Sequence, residues 1–269
     1  MTASPDLDAY FRRIGWTGSR SPTFDTLAGL IQAHTATVPF ENLDVLLGRP
    51  VRLDLGSLHD KLIHARRGGY CFEHVTLFSA ALETLGFQVR RHAARVVLFA
   101  PASEVPRNHM FLTVAVEGVW FVADPGFGPF APRFPVPLCD TGASGTGQNT
   151  HRVTRAGDLW TLHVPRDGQT VPGWVSTLEH ENKVDFEVAN HFTATHPASP
   201  FVNSIMLSAP TPEGRINVMN RDVTFLTGSQ SRQEQIADRA ALRALLGEHF
   251  GFDLPEVETL KVPAIPEWQ

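Results

Sequence analysis

Apolar residues in the first third of the chain recur at three- and four-residue intervals. Leu7, Tyr10, Phe11 and Ile14 share one helical face ahead of Gly15, and Phe24, Leu27, Leu30 and Ile31 repeat the spacing after Ser21-Pro22. A third helix is predicted from Cys71 to Leu85, with Phe72, Val75, Phe78, Leu82 and Leu85 on one side and Gly86 as its stop. From about Arg90 the period falls to two. Arg91–Phe99, His109–Val116, Val119–Asp124 and Leu159–Val164 are rich in Val, Phe, Leu and Trp and are punctuated by Gly, Pro and Asn. Short strands with close turn signals predict a barrel or a strongly bent antiparallel sheet. The tail is mixed. Strand-like Phe201–Leu207 and Arg215–Val218 precede a helix expected over Arg232–Phe250, with Ser231 and Glu234 as its capping box and Gly251 as its C-cap. The polar, glycine-rich Thr141–Thr150 reads as a surface loop. The texture divides the chain near residues 90 and 195.

Composition narrows the class. Among 269 residues, 42% are hydrophobic and 19% charged, enough apolar material for a core and too little charge for disorder. Twenty-three basic and 28 acidic residues give a net charge of −5, and no block of like charges occurs, which excludes general nucleic-acid affinity. A local basic pocket for an anionic ligand stays compatible with that balance. Met1–Gly18 lacks the apolar stretch of a secretory signal, and the runs around Val96–Ala102 and Met110–Val116 are too short to span a bilayer. Cys71 and Cys139, the two cysteines, therefore read as reduced thiols. The expectation is a soluble, cytoplasmic, globular protein without a membrane span.

Cys71 sits in Arg66-Arg67-Gly68-Gly69-Tyr70-Cys71-Phe72-Glu73, where two glycines allow a tight turn and a helix begins at the cysteine. A thiol there feels the positive end of the helix dipole, and free first-turn N–H groups can face a developing oxyanion. The plain alternative is a small buried hydrophobe. The position of a base sharpens the choice. His109–Val116 and Val119–Asp124 flank Glu117-Gly118, which fits a short hairpin turn. If the hairpin closes there, paired numbers sum to 235, so Phe111 faces Asp124, and His109 is Asp124's diagonal neighbour on the same face. An acid orienting a histidine that can meet a thiol is the logic of a Cys-His-Asp triad. His74, three residues after Cys71, is the competing base, ranked second and read as structural for want of an acidic partner. Phe127, in Asp124-Pro125-Gly126-Phe127-Gly128, and Phe40, in Val38-Pro39-Phe40-Glu41-Asn42, each read as an aromatic wall for a flat substrate or as a core plug. There is no metal-ligand spacing, no phosphate-binding Gly-Lys-Ser/Thr loop and no dinucleotide fingerprint.

Taken in chain order, these residues resemble the arylamine N-acetyltransferases. The matching pieces are Pro39-Phe40-Glu41-Asn42-Leu43, Arg67-Gly68-Gly69-Tyr70-Cys71-Phe72-Glu73, Asn108-His109, Asp124 with Gly126-Phe127-Gly128, and His196-Pro197-x-Ser199-Pro200-Phe201. The resemblance covers about residues 1 to 205 well and the tail in general character. It implies an α+β fold: an N-terminal helical bundle (1–90) carrying the nucleophile, a central antiparallel β-barrel (91–195) carrying His and Asp, and a C-terminal α/β lid (196–269), around a cysteine-protease-like catalytic core. It implies Cys71 as nucleophile, His109 as base and Asp124 as its orienter. Acetyl-CoA is the implied co-substrate, without a metal, and an arylamine or hydrazine the acceptor, in a ping-pong reaction through acetyl-cysteine. Phe40, Phe72 and Phe127 match acceptor-pocket positions and Phe201 a residue beside the lid where the cofactor enters. Glu41 and Arg67 match a charged pair near the catalytic centre, and Gly126 shapes the loop beside the acid.

The triad alone fits other chemistry. A transglutaminase-like or peptidase-like hydrolase and a natural-product amide synthase share its logic, because water or another amine can accept the same acyl group. A non-catalytic binding module with Cys71 merely buried is the rival from a different class.

Overall fold

The computed structural model of the chain describes residues 5–140, 142–145, 150–166, 168–179, 181–228 and 230–268. Its first helices, α1 (Leu7–Ile14) and α2 (Phe24–Thr35), lie where the apolar spacing predicts them. Asp6 caps α1 by accepting the Ala9 N–H, and Thr23 rather than Ser21 caps α2 through the Thr26 N–H. Two short turns, α3 (Leu43–Leu46) and α4 (Leu55–Leu58), the second widening through His59–His64, lead to α5 (Cys71–Thr84). The apolar face of α5 packs Phe72, Val75, Phe78 and Leu82 against Tyr10, Leu27, Leu30 and Ile31. That core continues onto the first strands, through Ala93 of β1 (Gln88–Val96) and Met110, Leu112 and Val114 of β2 (His109–Val116).

With β3 (Val119–Ala123), β4 (Val136–Pro137), β5 (Ala143–Ser144), β6 (His151–Ala156), β7 (Leu159–Arg166) and β8 (Gln169–Ser176), these strands form one antiparallel sheet in the order β4-β3-β2-β1-β8-β7-β6-β5. β4 returns against β5 and β6, so the sheet rolls into a nearly closed barrel, which removes most of its open edge. Phe111, Val122, Val153, Leu162, Val164 and Trp174 fill its interior. Of the expected loop Thr141–Thr150, residues 141 and 146–149 lie outside the described residues, and Ala143–Ser144 pair with β6.

Next come α6 (Lys183–Thr195), which sequence spacing had not predicted, and α7 (Pro200–Asn203). Phe201 therefore lies in a helical turn, not in the expected strand. Ser199 caps that turn and Pro200 takes its first position, where proline's missing N–H costs nothing. A four-stranded meander follows: β9 (Met206–Thr211), β10 (Gly214–Met219), β11 (Asp222–Thr227) and β12 (Gln230–Gln235). The helix expected from Arg232 starts later, as α8 (Arg239–Leu245), with Asp238 capping the Ala241 N–H at 2.8 Å. Gln230–Gln235 is polar throughout and exposed, so it has no apolar face for a helix to bury. Pairing with β11 satisfies the backbone groups on its inner side and covers that strand's edge. The far end is as expected: Gly251 adopts φ +76° after Phe250. Leu207, Ile216 and Val218 of this sheet pack on Leu242, Leu246 and Trp268. Among the described residues no helix is long and apolar enough to cross a membrane.

Candidate active site

The β2–β3 hairpin turns at Glu117-Gly118, both in left-handed conformation (φ 51° and 81°), which is what a two-residue turn between right-twisted strands demands. Its register runs Val116↔Val119 to Leu112↔Ala123, so every pair sums to 235. His109 and Asp124 consequently meet as diagonal neighbours, with His109 Nε2 2.8 Å from Asp124 Oδ2. Both are buried in the junction between helical core and barrel. Cys71, the first residue of α5, is 3% exposed and within hydrogen-bonding reach of His109. Since Nε2 is committed to Asp124, Nδ1 is the ring nitrogen left for Sγ. Sγ also lies 3.9 Å from the Asn108 carbonyl oxygen.

Backbone approach brings the two halves together. A Cβ on Gly126 would lie 2.8 Å from Cys71 Cα, and one on Gly68 would lie 1.9 Å from the Pro39 carbonyl oxygen. Glycine is required at both places because another backbone occupies the side-chain position. The Phe127 ring then covers His109, with centroids 4.7 Å apart.

Sequence reasoning missed Trp174. Its indole Nε1–H donates to Asp124 Oδ2 at 2.9 Å, so this one oxygen accepts from both His109 and Trp174, while Oδ1 has no protein partner. Trp174 stacks on Phe111 inside the barrel, centroids 4.0 Å apart. No local signal points to this contact, because it depends on β8 closing against β1.

Electrostatics at His109 are decided by competition. Burial alone pushes the imidazole down, but the Asp124 carboxylate, with Cys71 assisting, outweighs it and raises the pKa to about 10. The sign of the pH dependence follows. Between the ordinary histidine value of about 6.5 and about 10 the folded chain holds a proton that the unfolded chain has released. This contribution to stability is complete below the lower value and is lost as pH rises through the upper one. Denaturant titrations should therefore show stability falling across that window, and a flat profile would contradict the ion pair.

His74 is placed for a different task. Its Nε2 is 3.1 Å from the carbonyl oxygens of both Pro39 and Gly69, which only accept, so Nε2 carries the proton. Burial pushes the ring's pKa down to about 4, so it is neutral and its Nδ1 accepts. The partner at 2.8 Å, His34 Nε2, must then donate. His34, held well below its usual value by burial, accepts in turn at Nδ1 from the Tyr10 hydroxyl, 2.8 Å away. All protons point one way, from Tyr10 toward the loop that presents Cys71, and His74 has no lone pair left for catalysis. Tyr10→Phe should cost about 1–3 kcal/mol in chemical denaturation, because it strands a buried acceptor on His34. No measurable loss would contradict the chain.

Charged residues brace the same loop. Arg67 donates to Glu41 Oε1 and Asp44 Oδ1, each at 2.7 Å, and Lys61 bridges Asp44 and Glu73 at 2.7 Å. Glu73 also accepts the Tyr70 N–H at 3.0 Å, fixing the start of α5. Burial raises the Glu73 carboxyl's pKa, which Lys61 partly offsets. Of this cluster, sequence reading identified only Glu41 and Arg67 as a pair.

The aromatic positions divide. Phe40 is half-buried, stacks over His74 and touches Phe201, their centroids 6.2 Å apart. Its backbone bonds to Ser208 of β9 in both directions (2.8 and 2.9 Å), and the Glu41 N–H donates to Gly69. Asn42 completes the tie by donating to Phe201 and Ser204 and accepting from Met206. Phe201 is also half-buried. Phe72, expected at the pocket, instead points into the helical core, fully buried and edge-on to Tyr70. At that helical phase its ring belongs with Val75 and Phe78.

A family model described as N-acetyltransferase matches residues 23–259. The chain is 39% identical over 260 residues to an arylamine N-acetyltransferase of Mycobacterium tuberculosis, covering 94% of this chain and 91% of that one. It is 35% identical over 257 residues to the Escherichia coli arylamine N-acetyltransferase, covering 95% and 92%. Among solved structures it is similar to the Mycobacterium marinum arylamine N-acetyltransferase in complex with CoA, with a TM-score of 0.88, 34% identity and 94% of each chain covered.

Proposed function

We propose that this chain, which belongs to the arylamine N-acetyltransferase family, moves the acetyl group of acetyl-CoA to the nitrogen of arylamines or arylhydrazines through acetyl-Cys71. The observation that carries the reading is the alignment of Cys71, His109 and Asp124 at the start of α5. Cys71 is its nucleophile, His109 its base and Asp124, aided by Trp174, the group that orients and charges the histidine. An imidazolium beside Sγ stabilises negative charge on sulfur. Thiolate attacks the thioester carbonyl, first-turn N–H groups of α5 face the oxyanion, and CoA leaves with the proton from His109. The amine then attacks acetyl-cysteine, His109 takes the amine proton, and the Cys71 thiolate departs.

An arylamine suits the second step because it is neutral at pH 7, where an alkylamine is protonated. Phe40, Phe127 and Phe201 are the aromatic walls this reading assigns to the acceptor and the entry beside it, and Phe72 supports them from the core. Residues 1–90 supply the nucleophile, 91–195 the base and its orienter, and 196–269 the lid. The near full-length likeness to acetyltransferases supports transfer over hydrolysis by a peptidase-like relative, and the CoA complex of the M. marinum relative supports a CoA thioester as donor. Rapid mixing with acetyl-CoA alone should release one equivalent of CoA per chain in a burst, and initial velocities with an arylamine should give parallel double-reciprocal lines. Intersecting lines without a burst would replace this route by direct transfer.

A further inference from the structure

Cys71 follows Gly68-Gly69-Tyr70, and the two glycines carry no side chain to anchor the loop that enters α5. The nucleophile itself has to stay free, so Tyr70 is left to tie the loop down by its side chain. Every polar group on it is engaged. Its N–H donates to Glu73 Oε2 at 3.0 Å, and its carbonyl accepts the Glu73 and His74 N–H groups at 3.1 Å each. Its hydroxyl donates to Asn190 Oδ1, 120 residues further along the chain. The Val51 carbonyl, which can only accept, takes the Asn190 Nδ2–H at 3.0 Å and so turns Oδ1 toward the phenol. Burial, with Glu73 adding repulsion, holds the phenol's pKa well above its ordinary value, so the hydroxyl stays a donor. The ring meets Phe72 and Phe201 edge-on, with centroids 5.6 and 5.4 Å away.

Asn190 is held as firmly from its own side. With Phe186 and Thr193 it forms the buried face of α6, and Phe186 packs in the same core as Tyr70 and Phe72. The Thr193 carbonyl accepts the Ser199 hydroxyl at 2.6 Å, which hangs the turn carrying Phe201 from the same helix. α6 therefore braces the start of α5, although it follows the barrel in sequence. What the brace fixes is the Tyr70–Cys71 peptide. Among the described residues nothing accepts from the N–H groups of Cys71 and Phe72, which are the donors left for an oxyanion. A small shift there is unequal in its effects. Sγ can follow it by rotating about the Cα–Cβ bond and keep its contact with His109, whereas a backbone N–H has no such freedom. We propose that Asn190 is a positioning residue for acyl transfer, aiming the oxyanion-facing N–H groups of α5 through the Tyr70 hydroxyl. The proposal rests on the acetyl-transfer reading above and adds to it a residue that acts through another.

Two reactions of the same sulfur separate aim from reactivity. Attack on the thioester of acetyl-CoA builds an oxyanion, whereas displacement of iodide from iodoacetamide by the Cys71 thiolate does not. Both rates are measured by intact-protein mass on the full-length chain, in a Cys139→Ser background that leaves Cys71 as the one thiol. The unaltered background is compared with Tyr70→Phe, Asn190→Ala and the double variant. Each single variant should be acylated about 10- to 30-fold more slowly, with alkylation within about twofold. Because both substitutions break one bond, the double variant should fall no more than about threefold below the slower single one. Equal slowing of acylation and alkylation would reduce Asn190 to a structural prop and overturn the assignment. So would undiminished acylation in both single variants, or losses that multiply in the double variant. Should Asn190→Ala fail to fold, Tyr70→Phe, which removes one oxygen atom and keeps the ring packing, decides by the same comparison. An unaltered background that is alkylated at Cys71 but never acylated would instead remove the acetyl-transfer reading, and this proposal with it.

Discussion

Cys71→Ala should lower acetyl transfer by on the order of 10⁴-fold or more, because in the proposed route Cys71 alone holds the acetyl between donor and acceptor. Cys139, the other cysteine, is exposed and belongs to no part of the site. The fold should survive. Cys71 is buried in the helical core, but losing one sulfur atom there costs only about 1 kcal/mol. Arylamine assays of wild type and variant, with circular dichroism as the check on folding, make the comparison. A folded variant with near wild-type turnover would show that acetyl never resides on Cys71.

The second large effect is expected from Asp124→Asn. Asparagine can keep the geometry, its Oδ1 accepting from His109 Nε2 and Trp174 Nε1 as Asp124 Oδ2 does. Its Nδ2 then falls where Oδ1 of the acid has no protein partner. The carboxylate's charge is lost, and with it the influence that keeps the buried imidazole protonated. Transfer should fall by on the order of 10³- to 10⁴-fold with little change in structure. The fall in stability between pH about 6.5 and about 10 should vanish in the same variant. A variant keeping more than about a tenth of wild-type activity would separate Asp124 from the chemistry.

Much of this site was legible because its key contacts follow from local rules. A two-residue turn fixes a hairpin register, and the register places His109 beside Asp124 without knowledge of the rest of the fold. The start of α5 at Cys71 follows from the glycines before it and the apolar face after it. Trp174 and the Tyr10–His34–His74 chain were not legible, because each is joined by contacts between segments distant in sequence. Phe72 was placed in the pocket by motif likeness, whereas its helical phase sends it into the core. Gln230–Gln235 shows the opposite failure: a capping pattern fit the sequence, but an open strand edge decided the conformation.

The most direct test of acetyl-Cys71 is intact-protein mass after brief mixing with acetyl-CoA in the absence of an acceptor. Wild type should gain about 42 Da and lose it again when an arylamine is added, with no gain on Cys71→Ala. An unmodified wild type that nevertheless turns over with both substrates present, or an equal gain on the alanine variant, would contradict the account.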